Sequence, residues 1–185
     1  MSLISWAFSL SKQHLAEALP RRWAHVQGVA RQARSLASVA GSDAELLEAA
    51  AVLHDVGYAP ELAHSGFHPL DGARFLSSLG APARLVNLVA HHSFAILEAR
   101  MRGLEEELAE YEDEGASVVR DALWCCDITT TPDGTTTSAH SRIAEIKQRY
   151  GAEHLVTRFI SEAAPELLAA VERTEERRRA AVASA

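Results

Sequence analysis

A chain of helix formers, cut at intervals by glycine and proline, has few folds open to it. Ala, Leu, Glu and Arg dominate the 185 residues, β-branched runs are scarce, and Pro20, Gly41, Gly57, Pro60, Gly80 and Gly151 separate the apolar-periodic stretches. The pattern predicts an all-α fold. A first helix is expected over residues 3–19, ending at Pro20, and a second over 22–40, stopped by Gly41. Ser42 and Glu45 have capping-box spacing and should open a third helix, whose far end is the string AAAVLHDVGY. Pro69 suits the first turn of a helix begun at His68 and closed by Gly80, and Pro82 opens ARLVNLVAHH. The acidic stretch 105–114 reads as a solvated helix before a turn at Gly115, and 116–127 as a helix that delivers Asp127. Thr-rich residues 129–138, with Pro132, Asp133 and Gly134, read as a loop. Two helices should follow, broken near Gly151. No internal repeat or inter-domain linker is visible, so residues 1–185 are expected to form a single domain, with a motif-bearing core over 22–127 and C-terminal helices over 138–183.

Hydrophobic residues make up 48% and charged residues 23%, the balance of an ordinary globular protein. A net charge of -7 argues against nucleic acid or an anionic membrane as partner. Cys125 and Cys126 are adjacent, which suits neither a disulfide nor a Cys-based zinc site and fits a reducing compartment. The opening LISWAFSL has no basic residue ahead of it and is short, and no stretch approaches the length of a membrane span. A cytoplasmic location is therefore expected.

Within this helical frame the His54-Asp55 pair offers one nitrogen and one oxygen ligand at the same point of the backbone. His25 lies upstream, and His68, His91, His92 and Asp127 lie downstream, each at or near the end of a separate predicted helix. Metal sites need ligands held by rigid elements and converging on one point, which a helical bundle can supply. The settings VLHDVG, LVNLVAHH and ALWCCD predict burial, and a buried carboxylate or imidazole needs a partner. Each residue also has a plainer role. His54-Asp55 can make a helix C-terminal contact, His68 can cap a helix, and Asp127 can cap the next turn. His91 and His92 are about 100° apart on a helix, so one can bind metal while the other faces solvent or substrate. A shared metal centre accounts for all of them at once. His14, His64, His140 and His154 lie in polar or loop settings that point to the surface, with His64 near enough to His68 to line a pocket. Cys125 and Cys126 read as small packing residues.

The order His25, His54-Asp55, His68, His91/His92, Asp127 resembles the HD-domain superfamily of metal-dependent phosphohydrolases, over about residues 22–127. The string HDVG is similar to the HDIG form of many members. The resemblance implies an HD-type helical bundle in which His25, His54, Asp55 and Asp127 hold a first metal. It also implies that Asp55 bridges to a second ion, completed by His68 and by His91, His92 or both, with Asp55 and Asp127 serving catalysis. The mixed nitrogen and oxygen shell then favours one or two divalent transition-metal ions (Mn, Fe, Co, Ni or Zn) over Mg or Ca. Metal-activated water would attack phosphorus, and the metal charge would reconcile an acidic chain with an anionic substrate. HHSFAILEAR lacks the GYP-type sequence of members that cleave cyclic dinucleotides. The His68 and His92-Ser93 context looks closer to HD enzymes that hydrolyse dinucleoside polyphosphates or related nucleotides, so the expected partner is a small phosphorylated, nucleotide-like substrate. A di-iron oxygenase and a non-catalytic nucleotide-binding sensor are the alternatives. Arg22, one helical turn before His25, is a candidate substrate contact, its plainer role being an exposed charge. Asp71 and Arg74 read as a surface pair or a pocket mouth, and the 129–138 loop as a surface loop or a lid.

Overall fold

Helix α4 (Ala44–Leu53) is buried along its whole second half, from Leu47 to Leu53, which makes it the central rod of the molecule. The structure, a computed structural model, describes residues 2–183. Around α4 lie α1 (Leu3–Leu15), α2 (Pro20–Ser35), α6 (Ala83–Ala90) and α9 (Val118–Ile128). Ala49, Ala50 and Ala51 let these helices approach closely, while Leu47, Val52 and Leu53 fill the spaces between them. The other helices are α3 (Ala37–Ala40), α5 (His68–Ser78), α7 (Ala95–Arg102), α8 (Glu105–Leu108), α10 (Ala139–Tyr150) and α11 (Leu155–Ala183). Among the described residues there is no strand, and Thr130 and Thr136 form an isolated bridge. The fold is an all-α bundle. No helix among the described residues is long and apolar enough to cross a membrane.

Several helix boundaries differ from expectation for identifiable reasons. Pro20 begins α2 instead of merely ending α1, which stops at Leu15. Leu36 leaves helical geometry (φ -98°, ψ 12°) and divides the expected 22–40 helix into α2 and α3. The capping box does not form. Asp43 is the N-cap of α4 without a side-chain bond, and the Glu45 carboxylate instead accepts from the Leu3 amide, 3.0 Å away, at the start of α1. The acidic stretch is helical only over α8, and α7 is a helix the sequence pattern concealed. Ser93 and Phe94, at φ 49° and 62°, turn the chain sharply just before α7 and interrupt its periodicity. The break at Gly151 between α10 and α11 stands as expected.

The run 172–179 has the composition of a solvated tail, yet two of its arginines reach inward. Asp121 of α9 is fully buried and accepts from Arg173 at 2.8 and 2.9 Å and from Arg177 at 2.7 Å. These ion pairs tie α11 across the first turn of α9, the helix whose last turn carries Asp127. Removing one partner of such a buried pair leaves an uncompensated charge, which is costly.

Gly57 shows how closely the chain must pass itself beside the His-Asp pair. After α4 the backbone enters a 3₁₀ turn, Val56–Tyr58, which packs on the first turn of α5. A Cβ at Gly57 would lie 2.1 Å from the His68 carbonyl oxygen and 2.5 Å from the Gly72 amide nitrogen. Both are backbone atoms, so neither can swing aside. Gly57→Ala must push α5, and His68 with it, away from Asp55. Overpacking of this kind costs about 2 kcal/mol, which predicts a melting temperature about 4–8 °C lower for a chain of this length. An unchanged thermal transition would contradict this packing.

Candidate metal centre

Each side chain of the centre reaches it from a different element. His25 projects from the buried face of α2, one helical stripe with Val29 and Ala33. His54 closes α4 and Asp55 opens the 3₁₀ turn, so the pair sits where the central rod ends. His68 begins α5, His92 follows α6, and Asp127 occupies the last turn of α9.

The imidazoles are oriented before any ligand arrives. Nδ1 of His25 lies 3.0 Å from the Thr131 carbonyl, Nδ1 of His54 lies 2.8 Å from that of Ala51, and Nδ1 of His92 lies 2.6 Å from that of Val89. A carbonyl oxygen only accepts, so each Nδ1 carries the hydrogen and each neutral ring keeps its lone pair on Nε2. Those Nε2 atoms point at carboxylates and at one another. His25 Nε2 is 3.0 Å from Asp127 Oδ1, and His54 Nε2 is 3.4 Å from Asp55 Oδ2 and 3.8 Å from Asp127 Oδ1. His68 Nε2 is 3.3 Å from Asp55 Oδ1 and 3.0 Å from His92 Nε2.

The result is two groups. His25, His54 and Asp127 offer ligand atoms all within 4.8 Å of one another, and so do Asp55, His68 and His92. Asp55 turns Oδ2 toward the first group and Oδ1 toward the second. Ligands about 2.1 Å from a metal lie roughly 3–4 Å apart, the range seen here. His54 Nε2 is buried and has no hydrogen-bond partner, an unsatisfied ligand atom that a metal ion, displacing any proton on it, would satisfy. The donor set fits metal binding.

His91 departs from the ligand set. Its Nε2 donates to the Tyr111 carbonyl at 2.7 Å, and it belongs to neither group. Chain geometry explains the difference. His91 ends α6 and its own carbonyl accepts from the Trp124 indole, 3.0 Å away, whereas His92 starts the 3₁₀ turn that swings inward. His91 is therefore a buried link to the 108–111 turn, and His92 is the member of the pair that faces the centre.

Arg22 is neither a free phosphate contact nor an exposed charge. Its Nη1 donates to Asp55 Oδ2 at 2.7 Å, and its guanidinium lies 4.0 Å over the Tyr58 ring. Tyr58 stacks in turn on His68, with centroids 3.9 Å apart and planes within 16°. This stack orients the one imidazole of the centre whose Nδ1 makes no bond to a backbone carbonyl among those observed. Ser93 donates its hydroxyl to Asp127 Oδ2 in a short hydrogen bond, from a backbone conformation that non-glycine residues rarely adopt. Tyr58 and Ser93 escaped the sequence reading because nothing in VGYAP or HHSF distinguishes a stacking tyrosine or a strained serine.

The 129–138 loop is tied down by hydrogen bonds. It runs back against α2, where Gln32 donates to the Thr129 carbonyl and Thr130 Oγ1, and Arg31 donates to the Gly134 carbonyl. Gly134, at φ 78°, fits because a Cβ there would meet the Ala24 carbonyl at 2.2 Å. The loop thus holds Thr131 beneath His25. Asp71 is buried and accepts from the Ser65 amide at 2.9 and 3.1 Å, so it braces the loop ahead of α5 and does not pair with the exposed Arg74. His64 and His140 are exposed, and His14 contacts Glu61 at 2.6 Å. His154, expected at the surface, is exposed and lines the cavity beside the centre. Cys125 and Cys126 are free and buried, and burial pushes the Cys125 thiol up to about 12, which suits small packing residues.

A model of the HD domain matches residues 22–122. The chain belongs to the HD domain family. No curated protein and no solved structure matches it. The HD match includes five of the six residues of the two groups and stops short of Asp127, which the fold delivers to the same centre.

Charge in this HD centre is balanced toward a cation. Burial resists the ionised form of Asp55, but the Arg22 and His54 charges outweigh it and hold the carboxyl well below its usual range. Burial likewise opposes a charged His54, yet Asp55 and Asp127 lift that imidazole to about 9. Burial, reinforced by the His68 and His54 charges, pushes His92 down to about 3 and keeps it a neutral donor. Below about pH 9 the metal-free protein therefore holds a proton on His54 that a metal must displace. Metal affinity should rise about tenfold per pH unit up to that point and flatten above it. Calorimetric titration in buffers of different ionisation heat should detect about one proton released per chain at pH 7; release of none would contradict the assignment.

Proposed function

We propose that this HD domain is a metal-dependent phosphohydrolase acting on a small, nucleotide-like phosphate ester or anhydride. The observation that carries the reading is the set of three carbonyl-fixed imidazoles that meet two carboxylates in two adjoining ligand groups. Those groups lie at the wall of a cavity of about 290 Å³, lined by His68, Ser93, Asp127 and Arg22. A binding site that served only to recognise a nucleotide would have no use for this many converging lone pairs.

His25, His54 and Asp127 would hold one ion, and Asp55, His68 and His92 a second, with Asp55 shared between them. Bound metal would supply Lewis-acid stabilisation of phosphoryl charge and a nucleophilic water at neutral pH. The chain's own residues do the rest. The Nδ1 hydrogen bonds keep the imidazoles from turning, so the reacting centre is held in place before substrate enters. Asp127, the less buried of the two carboxylates, accepts from Ser93 and can accept a further hydrogen bond from water at the cavity wall. Its carboxyl is held well below the usual range by His25 and His54 against burial, so it orients water more than it removes a proton. In the hydrolysis, water oxygen bonds to phosphorus, the bond to the leaving oxygen breaks with its electron pair, and the water proton passes to solvent.

Elemental analysis paired with a phosphate-release screen tests the reading. The wild-type chain should carry about two equivalents of Mn, Fe, Co, Ni or Zn and release phosphate from nucleotide substrates. His25→Ala should lower turnover at least about 100-fold, and His68→Ala should lower the metal content toward one equivalent. Less than half an equivalent under metal-replete conditions, or no turnover with Mn, Co or Ni, would sink it.

A further inference from the structure

Two arginines beyond the HD match share the cavity with the metal centre. Arg142 and Arg149 lie seven residues apart on α10, two turns along one face. Both line the 290 Å³ cavity that His68, Ser93 and Asp127 also line. They recur, with Arg22, in the wall of a second cavity of about 300 Å³ that reaches His25. The three guanidiniums therefore stand between two cavities, each of which touches a residue of the centre.

Their carboxylate partners do not match them in number. Arg142 and Arg149 share one acceptor, Glu145, the second at 3.4 Å. Arg22 donates to Asp55 Oδ2, an oxygen that also belongs to the candidate ligand set. A cation on Asp55 would compete for that oxygen and leave Arg22 free to bind elsewhere. The neighbouring Arg102 is already matched by Glu98 at 2.6 Å, so it adds no surplus. In a chain of net charge -7, a cationic surplus focused on one cavity wall calls for an anion. Arg142 is also buried, a setting in which a guanidinium needs good acceptors. The second cavity adds a further feature of the same sign. Leu19 at the N-cap of α2 supplies no side-chain acceptor for the first-turn amides, and residues 19–22 line that cavity.

One phosphoryl group at the metals leaves these arginines unused. We propose that Arg142, Arg149 and Arg22 bind a second phosphoryl group of the substrate, so that the site selects a phosphoanhydride over a phosphomonoester. The inference rests on the hydrolase reading and narrows its substrate class. Planar guanidiniums are suited to the role, because each can present two N–H donors to adjacent phosphate oxygens.

The test is binding and does not require turnover. Metal-loaded protein, freed of excess metal, is titrated with imidodiphosphate and separately with orthophosphate, and its metal content is measured again afterwards. Wild type should bind imidodiphosphate the more tightly. Arg149→Gln should weaken imidodiphosphate about tenfold or more, change orthophosphate less than twofold, and leave metal content and melting temperature in place. Arg149→Lys should recover part of the loss, since charge returns without the fork. If Arg149→Gln does not fold, Arg142→Lys replaces it, with the same contrast expected. Equal weakening of both ligands, or of neither, would overturn the inference. Loss of the contrast with hydrolysis intact would leave the hydrolase reading standing, while an intact contrast without phosphate release would count against that reading alone.

Discussion

Three hydrogen bonds from imidazole Nδ1 to backbone carbonyls organise the centre. They run from His25 to Thr131, from His54 to Ala51 and from His92 to Val89, and each fixes both the tautomer and the plane of its ring. Two of the acceptors lie three residues back, in the last turn of α4 and of α6, so the end of each helix orients the histidine that follows it. The third lies more than a hundred residues away in the chain and depends on the loop after α9 being held against α2 by Gln32 and Arg31. Much of the rest of the structure serves that arrangement. The central α4 places the His-Asp pair, the close pass at Gly57 sets α5 beside it, and the buried Asp121 ties α11 across α9.

The resulting site has electrostatic consequences that follow from burial. Lone pairs on Nε2 and carboxylate oxygens approach within 3.0 to 3.8 Å of one another, an arrangement that is unfavourable unless positive charge shares the space. In the metal-free chain, Arg22 and a proton on His54 supply that charge. A divalent ion would replace the proton and contest the arginine. The same exchange links the centre to the wall of arginines beside it, so metal binding and anion binding become parts of one charge balance.

The sequence made much of this legible. Helix-forming composition punctuated by glycine and proline is a local signal, and it showed in the all-α fold, in α5 beginning at His68 and in the break at Gly151. The ligand types were equally visible, because the His-Asp pair has company: His25, His68, His91, His92 and Asp127 lie at or near the ends of separate predicted helices. What escaped was whatever depended on long-range contact or on backbone strain. Glu45 looked like a capping partner for Ser42 but reaches α1, a contact 42 residues away. His91 and His92 could not be told apart because α6 ends at His91 and the chain then turns through Ser93 and Phe94 in left-handed conformations, which no sequence signal marks. Arg142, Arg149 and Tyr58 had no motif to mark them and come to the cavity only through tertiary packing.

The central claim is that the fold prearranges Nε2 lone pairs from separate helices around a cation. Anomalous X-ray scattering from a crystal of the metal-replete protein, recorded at the absorption edge of the bound element, tests it most directly. The account predicts anomalous peaks among His25, His54, Asp55, His68, His92 and Asp127, with each imidazole bound through Nε2 and with His25, His54 and His92 still donating Nδ1 to their carbonyls. Peaks confined to surface histidines such as His140, or ligation through Nδ1 within the centre, would contradict it.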